Sequence, residues 1–134
     1  MNALYEGVAH SGRFAAATGP NQVYSRTFSI RFKEISKSPV NILRFSVWCY
    51  AEHLPVEGQL IASVRNGSIE NIIWNGWNLR DYLSKEKKWF EVTGEFSLSV
   101  NGANHPDNEF VFYLWNYGKS TILADDFYFE FSEL

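Results

Sequence analysis

The chain has 134 residues, of which 46% are hydrophobic and 20% charged, and its formal net charge is -3. That balance describes one folded domain with a sizeable core; it excludes a disordered chain and provides no basic surface to follow a nucleic-acid backbone. The aromatic share of 17%, with 5 Trp, 7 Tyr and 11 Phe, exceeds what such a core needs, so some rings are expected to face outward.

Alternation with a period of two organises the chain. In residues 24–32 the large residues Tyr24, Phe28, Ile30 and Phe32 share even positions with Arg26, while Ser25, Thr27, Ser29 and Arg31 take the odd ones. This predicts a half-buried strand, ended by Ser36-Lys37-Ser38-Pro39. From Ile42 to Ala51, Leu43, Phe45, Val47, Cys49 and Ala51 oppose Arg44, Ser46, Trp48 and Tyr50. Leu60, Ala62 and Val64 predict a further strand, closed by Asn66-Gly67.

Residues 67–88 read as irregular: Trp74, Asn75-Gly76 and Trp77 precede a short helical turn beginning near Asn78 and the solvated run Lys85-Glu86-Lys87-Lys88. Alternation resumes where Phe90, Val92, Phe96 and Leu98 oppose Glu91, Thr93, Glu95 and Ser97. Asn101-Gly102 and His105-Pro106-Asp107-Asn108 form a turn-rich connection. Phe110, Phe112 and Leu114 then oppose Glu109, Val111, Tyr113, Trp115 and Tyr117, and Gly118-Lys119-Ser120 turns the chain again. In the last strand Phe127, Phe129 and Phe131 oppose Tyr128, Glu130 and Ser132. Short strands separated by turns predict one all-β domain over residues 1–134, an antiparallel two-sheet β-sandwich or jelly roll. Its expected core contains Phe45, Val47, Phe112, Leu114, Phe127 and Phe129.

Several kinds of chemistry have no signature here. Cys49 is the only cysteine and sits in an apolar run, so there is no internal disulfide and no cysteine metal cage. No glycine loop for phosphate, no histidine-rich metal motif and no Gly-x-Ser-x-Gly elbow occurs. His10, His53 and His105 each flank a predicted turn and are expected to be solvated. A glycosidase needs two carboxyl groups about the scissile bond; Glu91, Glu95, Glu109 and Glu130 lie on outward strand faces, where carboxylates ordinarily serve solubility. The chain is not expected to be an enzyme. No window reaches the roughly 20 apolar residues that span a bilayer, and Met1 leads into Asn2-Ala3-Leu4-Tyr5-Glu6 without a signal peptide.

Four stretches, in order, carry a family resemblance. They are Ala9-His10-Ser11-Gly12-Arg13-Phe14-Ala15, Leu43-Arg44-Phe45-Ser46-Val47-Trp48, Lys88-Trp89-Phe90-Glu91-Val92-Thr93-Gly94-Glu95-Phe96 and Leu123-Ala124-Asp125-Asp126-Phe127-Tyr128-Phe129. From about Tyr5 to Phe131 the chain resembles the carbohydrate-binding modules of families 4, 9 and 22, jelly rolls of the galactose-binding-like group. Two departures accompany the resemblance. The usual opening strand, with an Asn-Gly-Asp-Phe-Glu-like start and a following Trp, is not seen, and residues 67–83 match nothing specific. The resemblance implies a noncatalytic domain, extracellular or at the cell surface, excised from a larger secreted protein in which a catalytic domain is covalently linked. It also implies a structural calcium ion beside Asp126 and Asp125, with Glu6 and backbone carbonyls of the turn at residues 9–12 completing its oxygen shell.

The expected partner is a polysaccharide or oligosaccharide, with no nucleic acid and no membrane insertion. Sugar rings present apolar C–H faces that stack on aromatic rings, and hydroxyls that need planar polar partners. Arg44, Trp48 and Tyr50 on one strand, and Glu109, Tyr113, Trp115 and Tyr117 on another, combine both. Their parities predict one shared surface if the two strands are neighbours. Trp89 is expected to pack, while Trp74 and Trp77 either rim a groove or plug the sandwich edge. The alternative on the same fold is a protein-interaction or assembly module without a glycan ligand, because apolar patches mark protein contacts as well as grooves. A hydrolase or lyase would additionally need a carboxylate pair in the groove.

Overall fold

Each alternating segment hides one face, and the hidden faces meet between two sheets. The computed structural model describes residues 4–6, 14–67 and 70–133. The strands are β1 (Leu4–Glu6), β2 (Phe14–Thr18), β3 (Phe28–Arg31), β4 (Ile42–Ala51), β5 (Gly58–Asn66), β6 (Glu70–Asn78), β7 (Trp89–Ser97), β8 (Glu109–Asn116) and β9 (Ile122–Ser132). One turn of helix, α1 (Phe32–Ile35), follows β3, and short 3-10 turns follow β6 and precede β8. One sheet has the order β1-β2-β9-β4-β7 and the other β3-β8-β5-β6. All these pairings are antiparallel. The fold is the two-sheet jelly roll that the alternation predicts.

The core is built by three long strands. β4 supplies Leu43, Phe45, Val47, Cys49 and Ala51; β5 supplies Leu60, Ala62 and Val64; β8 supplies Phe110, Phe112 and Leu114. Full burial of one such aliphatic or Phe side chain contributes about 1.5–3 kcal/mol, so these strands carry most of the cohesion between the sheets. Gly94 on β7 lies opposite Phe45, and a Cβ there would run into the Phe45 ring and come within 2.8 Å of Trp77 Nε1. Glycine makes the room that the ring fills. Burial pushes the Cys49 thiol far above its usual range, which leaves it an inert core residue.

Three elements depart from the sequence expectation, each for a local reason. The strand expected over residues 24–32 is only Phe28–Arg31. Ser25 interrupts it: its N–H donates to the Leu114 carbonyl at 2.9 Å, and its hydroxyl accepts the Leu114 N–H at 2.8 Å. Tyr24 instead bridges to Trp115 and is 51% exposed.

Residues 70–78, expected to be irregular, form a nine-residue edge strand. Its register shifts between Val64 and Arg65, where Ile72 is inserted. Neighbouring Ile72 and Ile73 then both pack against the core, which masks the period of two. Asn75-Gly76, a turn signal when read alone, sits in mid-strand.

The third departure is a bulge in β9. Ser46 pairs with Tyr128 but Trp48 with Asp125, so Asp126 and Phe127 together oppose Val47. Asp126 takes the left-handed backbone, with φ 51°, a conformation that Asp tolerates better than most residues. The inserted residue moves the inward parity from Ile122 and Ala124 to Phe129 and Phe131. It also leaves Phe127 38% exposed, at the margin of the core rather than inside it. Of the other expected core residues, Phe45, Val47, Phe112 and Leu114 are buried, and Phe129 packs half-buried against them.

Candidate functional site

Directly opposed residues of an antiparallel ladder point to the same side, so the pairings decide which side chains share a face. β4 belongs to the five-stranded sheet and β8 to the four-stranded one, and their buried sides face each other. Arg44, Trp48 and Tyr50 therefore lie outside one sheet; Glu109, Tyr113 and Trp115, with Tyr117 just beyond the strand, lie outside the other. The single surface expected for all seven is not formed. Parity tells in from out for each strand, but it does not say which sheet the strand joins.

The outer face of the five-stranded sheet is closed by its own contacts. Arg44 donates to Glu95 at 2.7 Å through Nε and to Glu130 at 3.3 Å through Nη1. Hydrogen bonding and charge from Glu95, then from Glu130, raise the guanidinium pKa. Ser46 Oγ donates to Glu91 at 2.6 Å. Tyr50 leans on Trp89, ring centres 5.2 Å apart, over buried Ala17 and Leu123. Trp89 is thus a packing residue, as its place at the head of a strand predicts. Trp48 is half-buried, opposite Glu91 and Asp125. A depression of about 420 Å³ remains beside Arg44, Ser46, Glu95, Tyr128 and Glu130, but most of its polar groups already satisfy one another.

The outer face of the four-stranded sheet is arranged differently. In successive rows, Trp115 lies beside Gln59; Tyr113 beside Ile61 and then Gly76; Val111 between Ser29 and Ser63, with Trp74 beyond; and Glu109 between Arg31 and Arg65. The middle of this grid is closely packed by its own side chains. Ile61 and Val111 are fully buried although they point away from the core, and a Cβ on Gly76 would strike the Gln59 side chain.

Tall rings stand at the sides. Trp74 is 46% exposed on β6. Across the sheet, Tyr24 runs nearly parallel to Trp115 at 6.5 Å and edge-on to Tyr113 at 5.7 Å, while Tyr117 packs on Trp115 at 4.9 Å. The side chains of Gln59, Arg65 and Glu109 enter no hydrogen bond or ion pair among the described residues. Accessible ring faces beside unengaged planar polar groups are what a partly apolar, hydroxylated ring needs.

Sequence reasoning places Glu109, Tyr113, Trp115 and Tyr117 on this face and misses Tyr24, Gln59, Arg65 and Trp74. Gln59 and Arg65 alternate with Leu60, Ala62 and Val64, a signal that could have found them. Trp74 is hidden in the unrecognised β6. The choice left open for the two loop tryptophans is resolved in both directions: Trp74 rims the face, whereas Trp77 turns inward onto Phe45 at 4.7 Å and Phe96 at 5.6 Å.

Asp125 and Asp126 sit at the β9 bulge, where Asp125 Oδ1 accepts the Asp126 N–H at 2.8 Å. That contact gives the aspartate pair a backbone role. The turn at residues 9–12 and the side chain of Glu6 lie outside the described residues, as does His10. Among the described residues no group of three or more acidic, histidine or cysteine side chains could hold a metal. His53 and His105 are exposed, as expected. Among the described residues no helix is long and apolar enough to cross a membrane.

No protein-family model matches the chain, and no curated protein matches its sequence. Solved structures do share its fold. One titled Family 16 Carbohydrate Binding Module-2 superposes with a TM-score of 0.62 at 14% identity, over 96% of this chain and 84% of the other. The CBM22-1 xylan-binding domain of Paenibacillus barcinonensis Xyn10C gives 0.62 at 14% identity, over 100% and 82%. A cyclase from Fischerella sp. TAU, solved with 4-(1H-indol-3-yl)butan-2-one, gives 0.55 at 13% identity, over 99% and 72%. At such identities the likeness is one of fold, and this fold carries more than one activity.

Proposed function

We propose that this chain is a noncatalytic carbohydrate-binding domain that holds a polysaccharide or oligosaccharide on the outer face of β3-β8-β5-β6. The observation that supports this best is the gathering of Tyr24, Tyr113, Trp115 and Tyr117 on one outer sheet face with Trp74, beside the side chains of Gln59, Arg65 and Glu109. Sugar rings stack on the aromatic faces and supply most of the affinity; Gln59, Arg65 and Glu109 select among hydroxyl orientations. Arg44, Trp48 and Tyr50, on the far side of the sandwich, are not part of this site. An extracellular or cell-surface location, and a catalytic domain linked in a larger protein, belong to the same reading.

Native affinity electrophoresis against soluble polysaccharides tests it. Xylan comes first on the panel, because one protein of the same fold is a xylan-binding domain. Retardation by at least one polymer is expected. Unchanged mobility across the panel, combined with self-association in sedimentation, would favour a protein-interaction module instead.

The calcium ion is a separate proposal. Carboxylates suit calcium, which takes about six to eight oxygen ligands, so Asp125 and Asp126 need Glu6 and the carbonyls of residues 9–12 to complete a shell. The expected outcome is a melting temperature that falls by several degrees in chelator and returns with added calcium. An unchanged value would rule the calcium ion out.

A further inference from the structure

Resting on that reading, we propose that the glycan is acidic, and that a uronate carboxylate is held by Arg31 and Arg65 at the Glu109 end of the binding face. The three arginines on strand faces are treated very differently by the fold. Arg44 is engaged by two glutamates. Arg31 and Arg65 enter no ion pair among the described residues, although the ladder seats Glu109 directly between them. The pocket beside them, about 400 Å³, is lined by Arg31, Arg65, Gly67, Asp107 and Glu109. Asp107 is already paired with Lys33 at 3.2 Å. Within that lining two guanidiniums stand beside one carboxylate not paired with a lysine, Glu109, while Glu34 is turned to the Arg31 backbone, accepting its N–H at 3.2 Å.

A guanidinium presents parallel N–H donors that match the two oxygens of a carboxylate. Strands lie about 4.8 Å apart, so β3 and β5, on either side of β8, set the two arginines about 10 Å apart at Cα. Long side chains can converge from that span on one anion above the sheet. Trp74 occupies the adjacent row, across from Ser63 and two residues along β5 from Arg65. That step is about 7 Å along a strand. A sugar stacked on Trp74 would thus carry its carboxylate to Arg65, while a neutral sugar would leave both arginines without a partner.

Isothermal titration with glucuronoxylan and polygalacturonate oligosaccharides, each beside its carboxyl-reduced form, provides the test. Charge-assisted hydrogen bonds are the strong class, and at least one acidic oligosaccharide is expected to bind about tenfold more tightly than its reduced form. Arg31→Gln should remove most of that preference without changing affinity for the reduced form or the melting temperature, whereas Arg65→Gln should remove it and also weaken the reduced form a few-fold, because Arg65 meets hydroxyls as well. Equal affinity for both forms, or a preference that survives both substitutions, would overturn the proposal. Trp115→Ala separates it from the reading beneath. If that substitution weakens both forms alike and no carboxyl preference exists, only the acidic ligand is wrong. If no oligosaccharide binds, or if Trp115→Ala leaves binding intact, the glycan face itself is wrong.

Discussion

Trp115→Ala is expected to weaken polysaccharide binding about tenfold or more while leaving the fold intact. Stacked aromatic contacts contribute of order 1 kcal/mol beyond the area they bury, and a factor of ten corresponds to about 1.4 kcal/mol. Trp115 points away from the core, and its ring neighbours, Tyr24 and Tyr117, are themselves surface residues. Removing the indole therefore takes away a stacking platform and little of the sandwich. Trp48→Ala provides the contrast. Trp48 lies outside the opposite sheet, so its loss should leave affinity unchanged. Titration of both variants, with thermal melts beside them, checks the assignment. Loss of binding in the Trp48 variant and not in the Trp115 variant would place the site on the five-stranded sheet.

Phe112→Ala, three residues earlier on the same strand, should do the reverse. Phe112 is 1% exposed and meets Phe45 at 5.0 Å and Phe129 at 4.9 Å, joining the two sheets. Truncating a buried Phe to Ala costs about 3–5 kcal/mol, out of the 5–15 kcal/mol that typically holds a domain together. The urea midpoint should fall steeply, and the melting temperature by roughly 10 °C or more. Protein that remains folded should still bind glycan, because Tyr113 and Trp115 are untouched. A midpoint close to the parent's would mean that Phe112 is not at the centre of the core. One strand would then show both outcomes, a binding defect at Trp115 and a stability defect at Phe112, separated only by parity.

Parity is also what made much of this fold legible. β4, β5 and β8 each bury an unbroken alternation, and their inward residues follow from the sequence alone. The same alternation identifies Glu109, Tyr113 and Trp115 as outward. Two inserted residues defeat it elsewhere. Ile72 places two isoleucines side by side and hides β6, and with it Trp74; the bulge at Asp126 carries Phe127 to the edge of the core. Ser25 defeats it a third way, by taking over the Leu114 hydrogen bonds and freeing Tyr24 to face outward. Sheet membership is a different matter, since it depends on partners far along the chain. Nothing within β4 or β8 states that they belong to opposite sheets, so parity alone groups Arg44, Trp48 and Tyr50 with the β8 residues.

The binding face can be located directly by the indole N–H signals of the five tryptophans in a proton–nitrogen correlation spectrum, followed during titration with a retarding polysaccharide. Trp74 and Trp115 should shift or broaden as ligand is added, because both stand on the outer face of the four-stranded sheet. Trp77, packed on Phe45, and Trp48 and Trp89, outside the other sheet, should hold their positions. Movement of Trp48 and Trp89 with Trp74 and Trp115 unmoved would contradict the account.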